Sequence, residues 1–427
     1  MDIRTQKLME FLDSAHSVYH GVAALVKVLE EAGYTRLEEA EGWQLVPGGK
    51  YYLTRGGSAI TAFRVPHAQP KGFMISACHA DRPSFKVKEN GELVSAYTRL
   101  ETERYGGMLI FSWLDRPLSV AGRVLVETEK GVESRLVDID RDLLLIPNVA
   151  IHMNRKVNEG VNWNPAVDSL PLLGSKEAAG SFWPMIREAA GGEILGHDLY
   201  LYIRHKASVW GLEEQFISSA ALDDLACVWT CTQGFLQAGE SESVPVICAF
   251  DSEEVGSGSL QGAASDFLAS TLSRISKALS LSEKQMLAQS FLVSADNAHA
   301  IHPNHPEYAD PNNAPVINEG LVLKFNAAQR YITDGVSAAV FRKVCRKAGV
   351  PVQSFYNRPD IPGGSTLGHI SLSQVGVPSV DVGIAQLAMH SCYETAGVKD
   401  AIYMEEAMRV FYETTLEHAA DGSYILR

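Results

Sequence analysis

Two carboxylates stand side by side at Glu253-Glu254, just beyond the apolar run Val244 to Phe250. Isolated charge is costly to bury, so adjacent acids leaving a buried strand rest on a metal ion, on a cation partner, or in water. Taken alone, the pair reads best as a wet loop, because Glu is mostly exposed in folded proteins. Its company changes that. His79-Ala80-Asp81 follows the apolar run Phe73 to Ala77, Asp223-Asp224 opens a helical pattern, Asp296-Asn297-Ala298-His299 follows Ser290 to Ser294, and Met389-His390-Ser391 comes after Ser379 to Val382. Each cluster alone is weak: a single His is more often a hydrogen-bonded structural residue, and an Asp at a helix start is ordinarily an N-cap. Together, imidazoles and carboxylates at strand ends supply mixed nitrogen and oxygen ligands suited to zinc, and less decisively to manganese or cobalt.

Open α/β sheets gather their binding groups at the carboxyl ends of strands, and the periodicities predict such a sheet. Val22, Leu25, Val26 and Leu29 recur at helical spacing within Ser17 to Ala32, and Tyr51 to Thr54 with Ala59 to Val65 read as a hairpin. Beyond Ala207, helical patterns (Leu222 to Leu236, Gln261 to Leu279, Gly335 to Ala348, Met404 to His418) alternate with strand patterns (Val244 to Phe250, Ser290 to Ser294, Val352 to Tyr356, Ser379 to Val382). From about Lys88 to Arg204 the texture changes to short alternating runs broken by Gly, Pro and charged turns, including a polar loop from Asn148 to Asn164. The expected architecture is α/β: a mixed sheet flanked by helices, formed by residues 1–87 and 208–427, with 88–207 as an inserted mainly β domain.

The chain of 427 residues is 46% hydrophobic, enough for a sizeable core spread over roughly two to three domains. Its 37 basic against 51 acidic residues give a formal charge of -14, which disfavours nucleic acid or an anionic membrane as partner. No apolar run approaches the ~20 residues of a membrane span, and the opening residues lack the apolar core of a secretory signal, so a cytoplasmic location is expected. The six cysteines show no CxxC pair and fall mostly inside apolar runs. Buried free thiols are therefore expected, leaving His, Asp and Glu to hold any metal.

In order and separation, the motifs resemble those of the aspartyl aminopeptidases, a family within the dinuclear zinc aminopeptidases, over nearly the whole chain. The carriers are His79-Ala80-Asp81-Arg82-Pro83, Asn148 to His152, Leu222-Asp223-Asp224-Leu225, Asp251 to Gly256, Ser294 to Asn304 and Gln386 to Ser391. The resemblance implies a zinc-peptidase-like fold and a metalloaminopeptidase acting on peptides. It implies two divalent ions per subunit, zinc or else manganese or cobalt: one held by His79 and Asp296, the other by Glu254 and His390, with Asp223 bridging. Glu253 would then be general base and acid, and Asp81 would hydrogen-bond the far nitrogen of the His79 imidazole. Lys324, a lone Lys in the apolar run Leu321 to Phe325, matches the position associated with an acidic substrate side chain. Tyr331 would line the same pocket, and His152 would reach a neighbouring subunit's site. The family assembles as a homo-oligomer, a tetrahedral dodecamer, with the inserted domain at subunit contacts.

Some positions depart from the family pattern. Arg82 stands where relatives commonly have Ser, His16 and Val18 where they tend to have Pro, and Asn148 where they often have another His. These bear on whether Asp and Glu are the best substrates, so an aminopeptidase of broad or apolar preference, or a catalytically silent oligomeric scaffold, stands as the alternative. His299, His302 and His305 resemble a metal tract, but their spacing after Asp296 assigns them to structure and loop contacts.

Overall fold

The computed structural model describes residues 2–427. At its centre is a nine-stranded mixed sheet. Its heart is four parallel strands in the order Ser243–Phe250, Gly72–His79, Phe291–Ala295 and Ser379–Gly383. Every residue of Gly72–His79 and Ser243–Phe250 is buried. Strands covered on both faces read as continuous apolar runs rather than alternating ones, which is why these two stood out in the sequence. The hairpin Lys50–Arg55 and Ala59–Arg64 extends the sheet on one side; Leu321–Phe325, antiparallel to Ser379–Gly383, extends it on the other.

One face is covered by the helices Leu222–Gln237 and Val398–Tyr412 together with Ile3–Ser14 and Val18–Glu31, whose Leu8, Phe11, Leu25, Phe235, Met408 and Phe411 share one core. The opposite face carries Phe267–Ala278, with Leu268, Leu272 and Ile275 packed on Val246 and Phe63. Two helix expectations shift. The helix predicted from Gln261 starts at Phe267, because residues up to Ser265 are spent in turns where Gly262 lies against the Ser257 carbonyl. The one predicted as Met404 to His418 runs Val398–Tyr412, and Leu416–Ala420 pairs instead with Ser423–Leu426. The β-branched pair Thr414-Thr415 is a poor helix continuation and a good strand entry.

Residues 84–203 contain a second, six-stranded antiparallel sheet in the order Gly131–Asp138, Leu118–Thr128, Ile194–Ile203, Ser84–Val94, Tyr97–Tyr105, Leu172–Ser175. Its core includes Phe85, Leu100, Trp113, Val124 and Leu199, closed by Phe182 and Ile186 of the helix Phe182–Ala190. The first strand starts at Ser84, so Ala80 to Pro83 connects the two sheets. A third sheet of five short strands, Ser208–Trp210, Phe216–Ser219, Glu394–Gly397, Ala385–Leu387 and Ala298–His299, was not anticipated. It ties together the chain segments that carry Asp223, Asp296 and His390. Among the described residues no helix is long and apolar enough to cross a membrane.

Candidate metal centre

His79 is the last residue of its strand, paired in register with Phe250, so the Glu253-Glu254 turn lands beside it. Its Nδ1–H donates to the Asp81 carbonyl at 3.2 Å. A carbonyl can only accept, which leaves Nε2, 3.5 Å from Asp223 Oδ1, as the nitrogen available to a metal. The other oxygen of Asp223 is 3.7 Å from His390 Nε2, and His390 Nε2 is 3.4 Å from Glu254 Oε2. Donor atoms of His79, Asp223 and Asp296 fall within 4.8 Å of one another, as do those of Asp223, Glu254 and His390. Asp223 belongs to both groups.

The backbone is held as firmly as the side chains. Glu253 and Glu254 form a single 3-10 turn after Ser252, and their amides donate to the two oxygens of Asp81 at 3.1 Å each. The Asp81 carboxylate is only 3.4 Å from His79 Nδ1. It therefore caps the acidic turn as well as facing the imidazole, a role the sequence did not suggest. Glu394, buried and overlooked in the sequence, performs the matching task opposite: it accepts from the Asp223 amide at 2.9 Å and the His390 amide at 2.7 Å. Its one sequence signal is a lone acid placed shortly after His390.

Electrostatics test whether cations fit. Burial first, then Asp223 and the other nearby acids, raises the Glu254 carboxyl well above its ordinary range, although His79 opposes the shift. Burial also raises Asp296, with Lys324 opposing, and pushes Glu253 up to about 8. His79 moves up despite its burial, because the neighbouring carboxylates of Asp223 and Asp81, with Glu253 and Asp224, together outweigh desolvation. Asp223 Oδ1 and Glu254 Oε1 are buried without a hydrogen-bond partner. Crowded acids with orphaned oxygens and free imidazole nitrogens are a donor set that divalent cations satisfy.

The centre opens into a pocket of about 270 Å³ whose lining also includes His299, Lys324, Tyr331 and Phe355. Lys324 is 2% exposed; its ammonium donates to the carbonyls of Asp296 (2.7 Å) and Asn297 (3.1 Å) and lies 3.3 Å from Asp296 Oδ1. It also sits 5.4 Å above the Tyr331 ring. His299, assigned from the sequence to loop structure, instead lines the pocket, whereas His305 pairs with Glu307 on the surface. His152 is exposed on its loop, outside the pocket of its own chain. Arg82 donates to the carbonyls of Ala15 and His16 at the junction of the first two helices.

A mostly parallel sheet with imidazoles and carboxylates converging at its carboxyl edge, on a pocket that admits a small polar molecule, defines a metal-dependent hydrolase. Residues 11–412 match the family described as aminopeptidase I zinc metalloprotease (M18), and the chain belongs to that family of zinc aminopeptidases. A probable M18 family aminopeptidase 2 of Clostridium novyi is 41% identical over 422 residues, covering 95% of this chain and 98% of that relative. A chain of the Ape4 and Nbr1 complex superposes with a TM-score of 0.93 at 33% identity, over 96% of this chain and 85% of that one. The S. cerevisiae mApe1 dodecamer gives a TM-score of 0.84 at 27% identity, over 96% of both chains.

Proposed function

We propose that this aminopeptidase removes an N-terminal Asp or Glu from peptides at a dinuclear centre. The observation that carries the dinuclear reading is that two ligand groups, His79 with Asp296 and Glu254 with His390, share Asp223. When bound, two zinc ions supply Lewis acidity toward the scissile carbonyl and lower the pKa of the attacking water. The chain's own residues do the rest. Glu253, which lines the pocket beside Glu254, takes the proton of the attacking water and delivers it to the departing amine. Asp81 fixes the Glu253 backbone and the His79 tautomer, and Glu394 fixes Asp223 and His390 from the other side.

Acid preference rests on Lys324, the one Lys or Arg among the described residues lining the pocket, with Tyr331 beside it. Its charge would offset the long-range repulsion between an acidic protein and an acidic substrate. A second reading, broad or apolar preference, is favoured by one fact: the Lys324 donors already close on Asp296 and Asn297. Residues 1–87 and 208–427 would form the catalytic domain, and 88–207 the contacts of a homo-oligomer; the similar mApe1 is a dodecamer. The loop exposing Val149, Ile151 and Met153 is apolar enough for that, and it would carry His152 to a neighbouring pocket. Six free, buried thiols suit a reducing cytoplasm. A panel of aminoacyl p-nitroanilides with zinc, manganese or cobalt tests the substrate reading. Equal kcat/KM for Asp, Glu and Leu substrates would refute acid preference.

A further inference from the structure

The first residues after the strand Tyr97–Tyr105 leave the six-stranded sheet and run directly along the metal centre. Tyr105 Oη donates to Asp81 Oδ2 at 2.7 Å, and its ring packs edge-on against Tyr200, with centroids 5.5 Å apart. The Asp81 carboxylate thus collects the Glu253 amide, the Glu254 amide and the Tyr105 hydroxyl, with the His79 imidazole beside it. Next in the chain, Gly106 has φ +76°, and a Cβ there would come within 3.1 Å of Glu254 Cβ. A Cβ on Gly107 would be 3.9 Å from His390 Nδ1, and the Leu109 amide donates to the His390 carbonyl at 3.0 Å. One short segment therefore touches the residue that orients the base, the ligand next to the base, and the ligand opposite.

We infer that Tyr105 is a positioning residue for the hydrolysis and that Tyr105 to Leu109 is the strap by which the inserted sheet sets the geometry of Glu253, Glu254 and His390. The physical argument is one of count and direction. Asp81 has two oxygens and must hold two amides and an imidazole at fixed angles; a phenol from a separate, rigid sheet fixes where that carboxylate sits. Burial and the neighbouring Asp81 keep the Tyr105 hydroxyl protonated well beyond neutral pH, so it remains a donor. Glycine at 106, with its positive φ, is what lets the backbone come this close.

This inference rests on Glu253 being the base, and the two can fail separately. Tyr105→Phe keeps the ring and its packing, and Asp81 Oδ2 retains the Glu254 amide, so no oxygen is orphaned and the fold should persist. The expected result is a fall in kcat of about tenfold at little-changed KM, with full metal content and a near-native unfolding midpoint. A purely structural role would lower the midpoint without separating kcat from KM. In an Asp81→Asn background the same change should have no further effect, because Tyr105 acts through Asp81. Gly106→Ala, which presses on Glu254 rather than Asp81, should weaken metal retention. Wild-type kcat in Tyr105→Phe, independent multiplication of the two effects in the double variant, or unaltered metal retention in Gly106→Ala overturns the inference. Activity surviving in Glu253→Gln would instead overturn the reading beneath it.

Discussion

Glu253→Gln isolates the proton-transfer step. The amide side chain has nearly the same shape, and the turn that carries it is held by the Glu253 and Glu254 amides on Asp81, neither of which the change touches. What is lost is the ability to accept a proton. General acid–base catalysis contributes about 10²–10⁴-fold, so kcat should fall by that factor, or about 3–5 kcal/mol of barrier. The structure also offers a rival role. Donor atoms of His79, Glu253 and Glu254 form a third group close enough to share an ion, in which Glu253 would be a ligand. Metal content separates the roles. The variant is desalted, its zinc is measured by plasma emission, and turnover of an aminoacyl p-nitroanilide is followed at saturating substrate. Full metal with turnover reduced at least a hundredfold fits a base. Loss of about one metal equivalent makes Glu253 a ligand, and turnover within a few-fold of wild type removes it from the chemistry altogether.

Other outcomes can be checked alongside. Lys324→Met should lower kcat/KM for Asp and Glu substrates on the order of tenfold more than for Leu, since a charged hydrogen bond is worth about 1.5–3 kcal/mol; any loss common to all substrates reports its grip on Asp296. Chelation should lower the unfolding midpoint, removing about 4 kcal/mol of stability when the metal had stood a thousandfold above Kd, and zinc should restore it. Asp400 accepts from the Asn318 and Gly320 amides, and burial lifts its carboxyl to about 7 against those bonds. The folded chain therefore binds a proton between about pH 4 and 7 that the unfolded chain lacks, and this contribution to stability is lost as pH rises through 7. Relative to Asp400→Asn, wild type should lose on the order of 2 kcal/mol between pH 5 and 7.5 in urea unfolding.

The strands that build the centre were legible because burial on both faces leaves an uninterrupted apolar run, and because His, Asp and Glu at the ends of such runs are conspicuous. Val244 to Phe250 and Glu253-Glu254 were read from that contrast. The third sheet was not legible: strands such as Ala298–His299 and Ala385–Leu387 are too short to show a period. Tyr105 and Glu394 escaped for another reason. Tyr105 holds Asp81 from 24 residues away and Glu394 holds Asp223 from 171, and the one local sign of either was that Glu394 follows shortly after His390. Helix starts failed where turn chemistry overrode periodicity, as between Gln261 and Phe267.

The placement of Gly72–His79 bears on how the molecule is made. In the folded chain this strand lies between Ser243–Phe250 and Phe291–Ala295, and all eight of its residues are buried. During synthesis its first central neighbour is about 160 residues downstream. At roughly 5–20 residues per second, an apolar strand with both edges unpaired waits on the order of ten to thirty seconds for its partners. The inserted sheet, local in sequence and with its own core, can form in that interval. Gly72–His79 is thus the segment expected to need a chaperone's cover, and a ribosome-bound chain halted near residue 240 should show it protected by such a factor and released once residue 295 has emerged.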